Sequence, residues 1–239
     1  MLRRKHILLL LEWYDYRIHR GVAQVARENG WQLNCPKSFT HNEGILNNWQ
    51  GDGCIALLQC TQTLDYFRTH KIPLVDLGLG DHNLPISRVV TDNEAIGRLA
   101  AEHFRDHGYK EVFALTADGI KMYEERLQAF ITHMEADGGN VTVFDSAGRT
   151  ESKVIQELHE LAHAQDRKLE ELSVGFFAFQ DTAAAEMISI CLKNNLRVPE
   201  NIAVLGVDND DLVNKGLSVE LSSVDSDQEG LGLTAAKTL

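Results

Sequence analysis

The chain has 239 residues, 44% hydrophobic and 24% charged, a balance that excludes disordered and collagen-like classes and leaves enough length for two lobes of ordinary size. Its 35 acidic against 23 basic residues give a formal net charge of -12, which makes these residues a poor electrostatic partner for phosphate backbones or anionic lipid. Any contact with nucleic acid would need another segment. Cys35, Cys54, Cys60 and Cys191 show no Cys-x-x-Cys spacing, so reduced core thiols in a cytoplasmic protein are expected, with no metal and no cofactor.

Arg3-Arg-Lys-His6 before Ile7-Leu-Leu-Leu-Leu11 imitates a signal peptide, but the apolar run is shorter than the ~7–15 residues of such a segment, and Glu12 and Asp15 follow it. A buried first strand over 6–11 is the expectation, and no stretch approaches the ~18–20 apolar residues of a membrane span. Ile18, Val22, Val25 and Ala26 share one face of a helix over about 15–29, which Gly30 stops. The pattern continues with a strand at 31–35, a short helix ending near Trp49, a strand at 53–59, a helix at 62–70 and a strand at 73–77. After the Gly- and Pro-bearing loop 78–88, Thr91 with Glu94 reads as a capping box that opens a helix running to about His107.

The alternation then restarts: strand 111–116, helix 121–136, strand 141–145, helix 152–164, strand 173–179, helix 181–195, strand 202–207. Ser226 with Glu229 reads as a second capping box, opening a last helix through Leu233 and Ala236. Repeated strand-helix-strand units imply parallel sheets covered on both faces, here two doubly wound α/β lobes with a ligand cleft between them. The expected boundaries are 1–108 for the first lobe, completed by the helix at 226–239, and 109–225 for the second. The abrupt end inside a helix suggests a fragment of a longer protein.

In open α/β sheets ligands bind outside the carboxyl ends of the strands. The run Ile202-Ala-Val-Leu-Gly-Val207 delivers Asp208 and Asn209 to that edge, Phe179 is followed by Gln180 and Asp181, and the first strand by Glu12, Trp13, Tyr14 and Asp15. Carboxylates and amides match vicinal hydroxyls, and an aromatic face covers the C–H face of a sugar. Each has a plainer alternative: Trp13 and Tyr14 as packing residues, Asp15 and Asp181 as helix caps. Asp208, an acid ending a buried strand, needs partners and is the strongest candidate. Arg126 offers a guanidinium fork to hydroxyls or a carboxylate, or else a salt bridge to Glu124 or Glu125.

Catalytic patterns are weaker. Asp208, Asp210 and Asp211 could suggest a divalent-cation cluster but miss the EF-hand spacing, and His159 and His163 stand at i, i+4 without the glutamate of a zincin. There is no Gly-x-Ser-x-Gly, no phosphate-cradling loop with Lys and no Gly-x-Gly-x-x-Gly. A binding protein rather than an enzyme is expected.

Val90-Thr-Asp-Asn93 with Ala100-Ala-Glu-His-Phe104 and Gly108, Arg126 with Ala129-Phe130, Asp181 with Ala184, and Val198-Pro-Glu-Asn-Ile202 leading into Gly206-Val-Asp208 together resemble the ligand-binding core of LacI/GalR regulators and periplasmic sugar-binding proteins, type I. Tyr14-Asp15 with Gly21-Val22, Trp49-x-Gly51-Asp-Gly53, Gly206-Val-Asp-Asn-Asp-Asp-Leu212 and Leu221-Ser-Ser-Val224 resemble, more narrowly, the xylose-responsive activators of the AraC/XylS class. The resemblance spans essentially the whole chain. It implies a monosaccharide effector such as a pentose, contacted by Asp208, Arg126, Asp181 or Gln180, Tyr14 and Asp15. It also implies a homodimer and an AraC-type DNA-binding domain beyond residue 239. Two positions depart from the pattern: Gly78-Leu-Gly80 stands where many sugar binders have Asp-Arg, and Gln180 where Asn is common. A stand-alone transport binding protein shares the same pocket and is the alternative.

Overall fold

A computed structural model describes residues 3–36, 49–80, 83–117, 119–145 and 150–239. The chain divides into two compact units: Met1–Thr91 with Ile120–Met122 and Asp227–Leu239, and Asp92–Gly119 with Tyr123–Ser226. The first unit contains β1 (His6–Leu11), α1 (Tyr16–Glu28), β2 (Gln32–Asn34), β3 (Gly53–Leu57), α2 (Thr61–Thr69), β4 (Leu74–Asp76) and β5 (Ser87–Arg88). Then come α3 (Asn93–Asp106), β6 (Glu111–Thr116), α4 (Lys121–Ala136), β7 (Asn140–Asp145), α5 (Glu151–Ala164), β8 (Val174–Ala178), α6 (Asp181–Lys193), β9 (Ile202–Val207), a single turn α7 (Asp211–Asn214) and β10 (Ser222–Val224). The last helix, α8 (Gln228–Thr238), belongs to the first unit. The short helix expected to end near Trp49 falls on 37–48, outside the described residues.

Among the described residues both sheets are five-stranded and wholly parallel, in the orders β2-β1-β3-β4-β5 and β10-β9-β8-β6-β7. Counted from each unit's own first strand, both orders are 2-1-3-4-5, the same winding used twice. That winding has one switch point, between its first and third strands, where successive crossovers leave to opposite faces. It lies between β1 and β3 in the first unit and between β6 and β8 in the second.

β1 is buried from Ile7 to Leu11, as a central strand covered on both faces must be. α1 turns Ile18, Val22, Val25 and Ala26 into the core, where Leu231, Ala235 and Ala236 of α8 meet them along with Leu9 and Leu11. α1 and α8 touch backbone to backbone: a Cβ at Gly21 would sit 2.1 Å from the Glu229 carbonyl oxygen, and one at Gly232 2.2 Å from that of Ile18.

The change between units comes earlier than the sequence pattern suggests, at 91/92 rather than 108/109. Ile96, Ala100, Ala101 and Phe104 of α3 pack with Val112, Phe130, Phe177 and Leu205, so their burial ties α3 to the second sheet. Both expected capping boxes are also displaced by one residue. Asp92, not Thr91, caps α3 by accepting from Ala95 N at 2.9 Å, and Glu94 turns out to His133 Nε2 at 2.8 Å. Asp227, not Ser226, caps α8 by accepting from Gly230 N at 2.9 Å, while Glu229 is held by Arg20. Each aspartate directly precedes its helix's first residue, Asn93 or Gln228, so its carboxylate reaches the amide three residues on. Among the described residues no helix is long and apolar enough to cross a membrane.

Candidate functional site

The second unit carries the denser polar cluster. Gly119 precedes α4, whose Tyr123 and Arg126 are one turn apart on the buried face. Arg126 is 0% exposed. Its Nε donates to Asn93 Oδ1 at 2.9 Å and its Nη1 to the Phe179 carbonyl oxygen at 2.9 Å, while Nη1 stands 3.8 Å from Asp208 Oδ1. Its Nη2 is buried with no hydrogen-bond partner among the described residues. Burial pulls the guanidinium down from the ordinary arginine value, with Asp208 and then Tyr123 opposing. It remains charged, because arginine starts far above neutral pH. Tyr123 packs against Phe179 at a ring-centroid distance of 4.4 Å, lies 5.6 Å from the Arg126 guanidinium and donates to Gln180 Oε1 at 2.9 Å. Burial first, and the Asp208 charge second, push its hydroxyl up to about 12.

Asp208 follows β9, whose residues from Val204 to Val207 are buried beside β8 and β10. Its backbone has φ 104 and that of Asn209 φ 48, both in the left-handed region that side-chain-bearing residues seldom adopt. The Asp208 side chain is 19% exposed, and Oδ1 accepts from Ser226 Oγ at 2.8 Å. Asn209 N donates to Ser223 Oγ at 2.9 Å, and Asn209 Nδ2 to Asp225 Oδ2 at 3.3 Å. Gln180, at the switch point after β8, is the N-cap residue of α6 but makes no side-chain cap bond, leaving its amide to Tyr123. Asp181 is 1% exposed, and its two oxygens accept from Asp210 N and Ser223 Oγ, each at 2.6 Å. It is not the cap; its carboxylate faces Ser223 and the backbone at Asp210 within its own unit.

The first unit's carboxyl edge is simpler. Glu12 bridges the switch point, its Oε2 accepting from Gln59 N at 2.6 Å. Trp13 and Tyr14 are 39% and 56% exposed; the Tyr14 ring meets that of His19 edge-on and its hydroxyl lies 3.0 Å from His19 Nδ1. Asp15 takes the capping role, accepting from Arg17 N and Ile18 N while its Oδ2 lies 2.6 Å from Arg17 Nη2. Asp76, absent from the sequence candidates, is 0% exposed: its carboxylate accepts from Gly78 N at 3.1 Å and pairs with Arg88 Nε at 2.9 Å. Arg88 also donates to the Gly80 carbonyl at 3.1 Å. An Asp-Arg ion pair thus stands at this edge with its aspartate buried, assembled from two strands, while Gly78-Leu-Gly80 remains a departure from the pattern.

The structure therefore brings Arg126, Asp208, Asn209 and Gln180 together and adds Asn93, Tyr123, Ser223 and Ser226, which the sequence did not single out. Asn93 was visible only within the Val90-Thr-Asp-Asn93 run at a helix start, Ser223 only within Leu221-Ser-Ser-Val224, and Ser226 only as an expected helix cap. The Asp208, Asp210 and Asp211 side chains diverge: Asp210 caps α7, and Asp211 pairs with Lys215 at 2.7 Å. Among the described residues no cluster of three or more His, Cys, Asp or Glu is arranged to hold a metal. His159 and His163 lie on an exposed face of α5. Chemically, the cluster offers a fixed cationic donor beside a carboxylate acceptor, without a nucleophile and base in register. Such a pair complements neighbouring hydroxyl groups.

Residues 101–239 match the periplasmic binding protein-like domain family. Across 259 aligned positions covering 100% of this chain, the sequence is 27% identical to the xylose operon regulatory protein of Escherichia coli K12, and covers 64% of that protein. It is 24% identical to the protein of the same name from Haemophilus influenzae, over 95% of this chain and 60% of that one. The chain thus spans less than two thirds of these relatives, which are named as regulators rather than enzymes. A periplasmic binding protein/LacI transcriptional regulator from Alkaliphilus metalliredigens QYMF, solved with D-xylulofuranose, superposes with a TM-score of 0.76 at 19% identity, over 98% of this chain and 89% of that chain. At that identity the likeness is one of fold, the type I arrangement of two five-stranded parallel sheets.

Proposed function

Because this chain belongs to the periplasmic binding protein-like family, we propose that it is the effector-binding part of a transcriptional regulator and that its effector is a small, uncharged sugar. The observation that carries this is the buried Arg126, whose Nη2 has no hydrogen-bond partner among the described residues and whose Nη1 stands 3.8 Å from the partly exposed Asp208. An unpaired buried donor costs about 1–3 kcal/mol, more when charged, and a ligand hydroxyl supplies the missing acceptor. Asp208 accepts from a neighbouring hydroxyl, and its negative charge offsets the guanidinium, which disfavours phosphorylated ligands. Tyr123 and Phe179 supply an aromatic wall.

More narrowly, the effector is a pentose of the xylose type, and the sugar controls an AraC-type helix-turn-helix domain outside these residues in a cytoplasmic homodimer. The 27% likeness to the Escherichia coli regulator supports this. So does the net charge of -12, which leaves DNA contact to a separate basic segment. Control requires that the sugar bind one conformational state better than another.

The test is thermal unfolding of the 239-residue chain with D-xylose, D-ribose, D-glucose and their phosphates, repeated with Asp208→Ala. A rise in melting temperature that grows with sugar concentration and vanishes in the variant is expected, since native-state binding adds about RT ln(1 + [L]/Kd). A cooperatively folded protein that responds to none of these sugars refutes the sugar reading. Tighter binding of D-ribose or D-glucose than of D-xylose replaces the xylose assignment.

A further inference from the structure

Asp208 and Asn209 hold successive positive φ angles, and the local sequence offers no glycine at either position to make that easy. The backbone around them is held by a residue far away in sequence. Asp181, at the start of α6, is 1% exposed, and its Oδ2 accepts from Asp210 N at 2.6 Å. Its Oδ1 accepts from Ser223 Oγ at 2.6 Å, and that same hydroxyl oxygen accepts from Asn209 N at 2.9 Å. One buried carboxylate thus fixes two consecutive amides of the loop, one directly and one through a serine. The space for it is made by Gly206, the register partner of Ser223 on the adjoining strand: a Cβ there would lie 2.2 Å from Asp181 Oδ1.

We propose that Asp181 and Ser223 are positioning residues for the effector site, a clamp that holds the 208–210 loop in its left-handed conformation so that the Asp208 carboxylate is aimed beside Arg126 before any ligand arrives. The ligand half of this inference rests on the sugar-binding reading above. The clamp lowers the ordering cost of binding, because the loop has already lost its freedom in the unliganded protein. It also gives Asp181 a role other than the direct contact that its place after β8 suggested.

Two measurements on the full 239-residue chain separate the parts. In ligand-free protein, residue-resolved amide hydrogen exchange is compared for wild type, Ser223→Ala and Ser223→Thr. The alanine variant is expected to speed exchange at Asn209 and Asp210 by about tenfold or more, with Val204 and Leu205 unchanged and the threonine variant restored. Unchanged protection at 209 and 210 overturns the clamp. In titration calorimetry with D-xylose, Asp181→Asn and Ser223→Ala are expected to weaken binding about tenfold or more. Ser223→Thr and Asp106→Ala, an exposed change at the C-terminal end of α3, are expected to bind as wild type does. Loosened amides with unaltered D-xylose affinity overturn the positioning role while leaving the sugar reading intact. A wild type that binds no sugar removes that reading and the ligand half with it, and the exchange result still decides the clamp.

Discussion

Replacing Arg126 by methionine keeps most of the side-chain volume and removes the charge. Two buried acceptors then lose their donor, Asn93 Oδ1 and the Phe179 carbonyl, each at 2.9 Å in the wild type, and Asp208 loses the cation 3.8 Å away. Breaking a buried, hydrogen-bonded pair from one side costs about 3–5 kcal/mol. The guanidinium's own burial, which depresses its pKa, is relieved at the same time, as is the unpaired Nη2, so the lower end applies. About 3 kcal/mol corresponds to a fall of roughly 6–12 °C in melting temperature for a chain of this size. Adding Asp208→Asn to Arg126→Met removes the stranded carboxylate, and the double variant is expected to be more stable than the sum of the singles by about 1 kcal/mol or more. Far-UV circular dichroism is the appropriate probe, because Trp13, Trp31 and Trp49 all belong to the first unit. A melting temperature unchanged in Arg126→Met, or singles that simply add, would show that neither the acceptors nor Asp208 depends on this cation.

Tyr123 gives a pH signature. Its folded value of about 12 lies above the ordinary 10, so its contribution is fully present below pH 10 and is lost as pH rises toward 12, by about 2–3 kcal/mol. Tyr123→Phe should be less stable than wild type by about 1 kcal/mol at pH 8, through the lost bond to Gln180, and should overtake it above pH 11; a constant gap across that range contradicts the assignment. In a thiol-reagent titration of native protein, exposed Cys60 should react first. Buried Cys54, pushed well above the usual thiol value, and Cys191, pushed up to about 12, should wait for unfolding, and rapid labelling of all four thiols would contradict the core described. Gly232→Val should destabilise the first unit by about 1–3 kcal/mol in urea titrations followed by tryptophan fluorescence, because its Cβ would stand 2.2 Å from the Ile18 carbonyl oxygen; a wild-type midpoint would mean that α1 and α8 part easily.

The parallel winding was legible because its buried strands read as short apolar runs between amphipathic helices, as at Ile7–Leu11 and Ile202–Val207. Asp208 was legible for the same reason: an acid at the end of such a run needs partners, and it has Ser226 and Arg126. Asp76 escaped notice because its partner Arg88 arrives from the neighbouring strand through a register that no local pattern announces. Asp181 sat on a plausible helix start, and only the tertiary fold reveals that its carboxylate turns toward Asp210 N and Ser223 Oγ. Both helix caps were placed one residue early because Thr91 and Ser226 satisfy a hydroxyl-based motif whose next residue is an aspartate. The unit boundary was misjudged at Gly108 because a glycine after a helix marks a stop without saying which core the helix serves.

The packing of α8 onto α1 bears on how the protein is made. Ile18, Val22 and Val25 meet Leu231, Ala235 and Ala236 in one core, so the first strands and helix to leave the ribosome cannot finish their interior until residues some two hundred positions later have been synthesised. At ~5–20 residues per second, translating residues 92–226 takes on the order of ten seconds. During that interval the part of α1 that meets α8 lacks its native cover, although Leu9, Leu11, Ile55 and Leu57 are already present, while most of the second unit's sequence is already available to fold. The α1–α8 contact is therefore completed late in synthesis, and mutations that loosen it are expected to lower the yield of soluble protein.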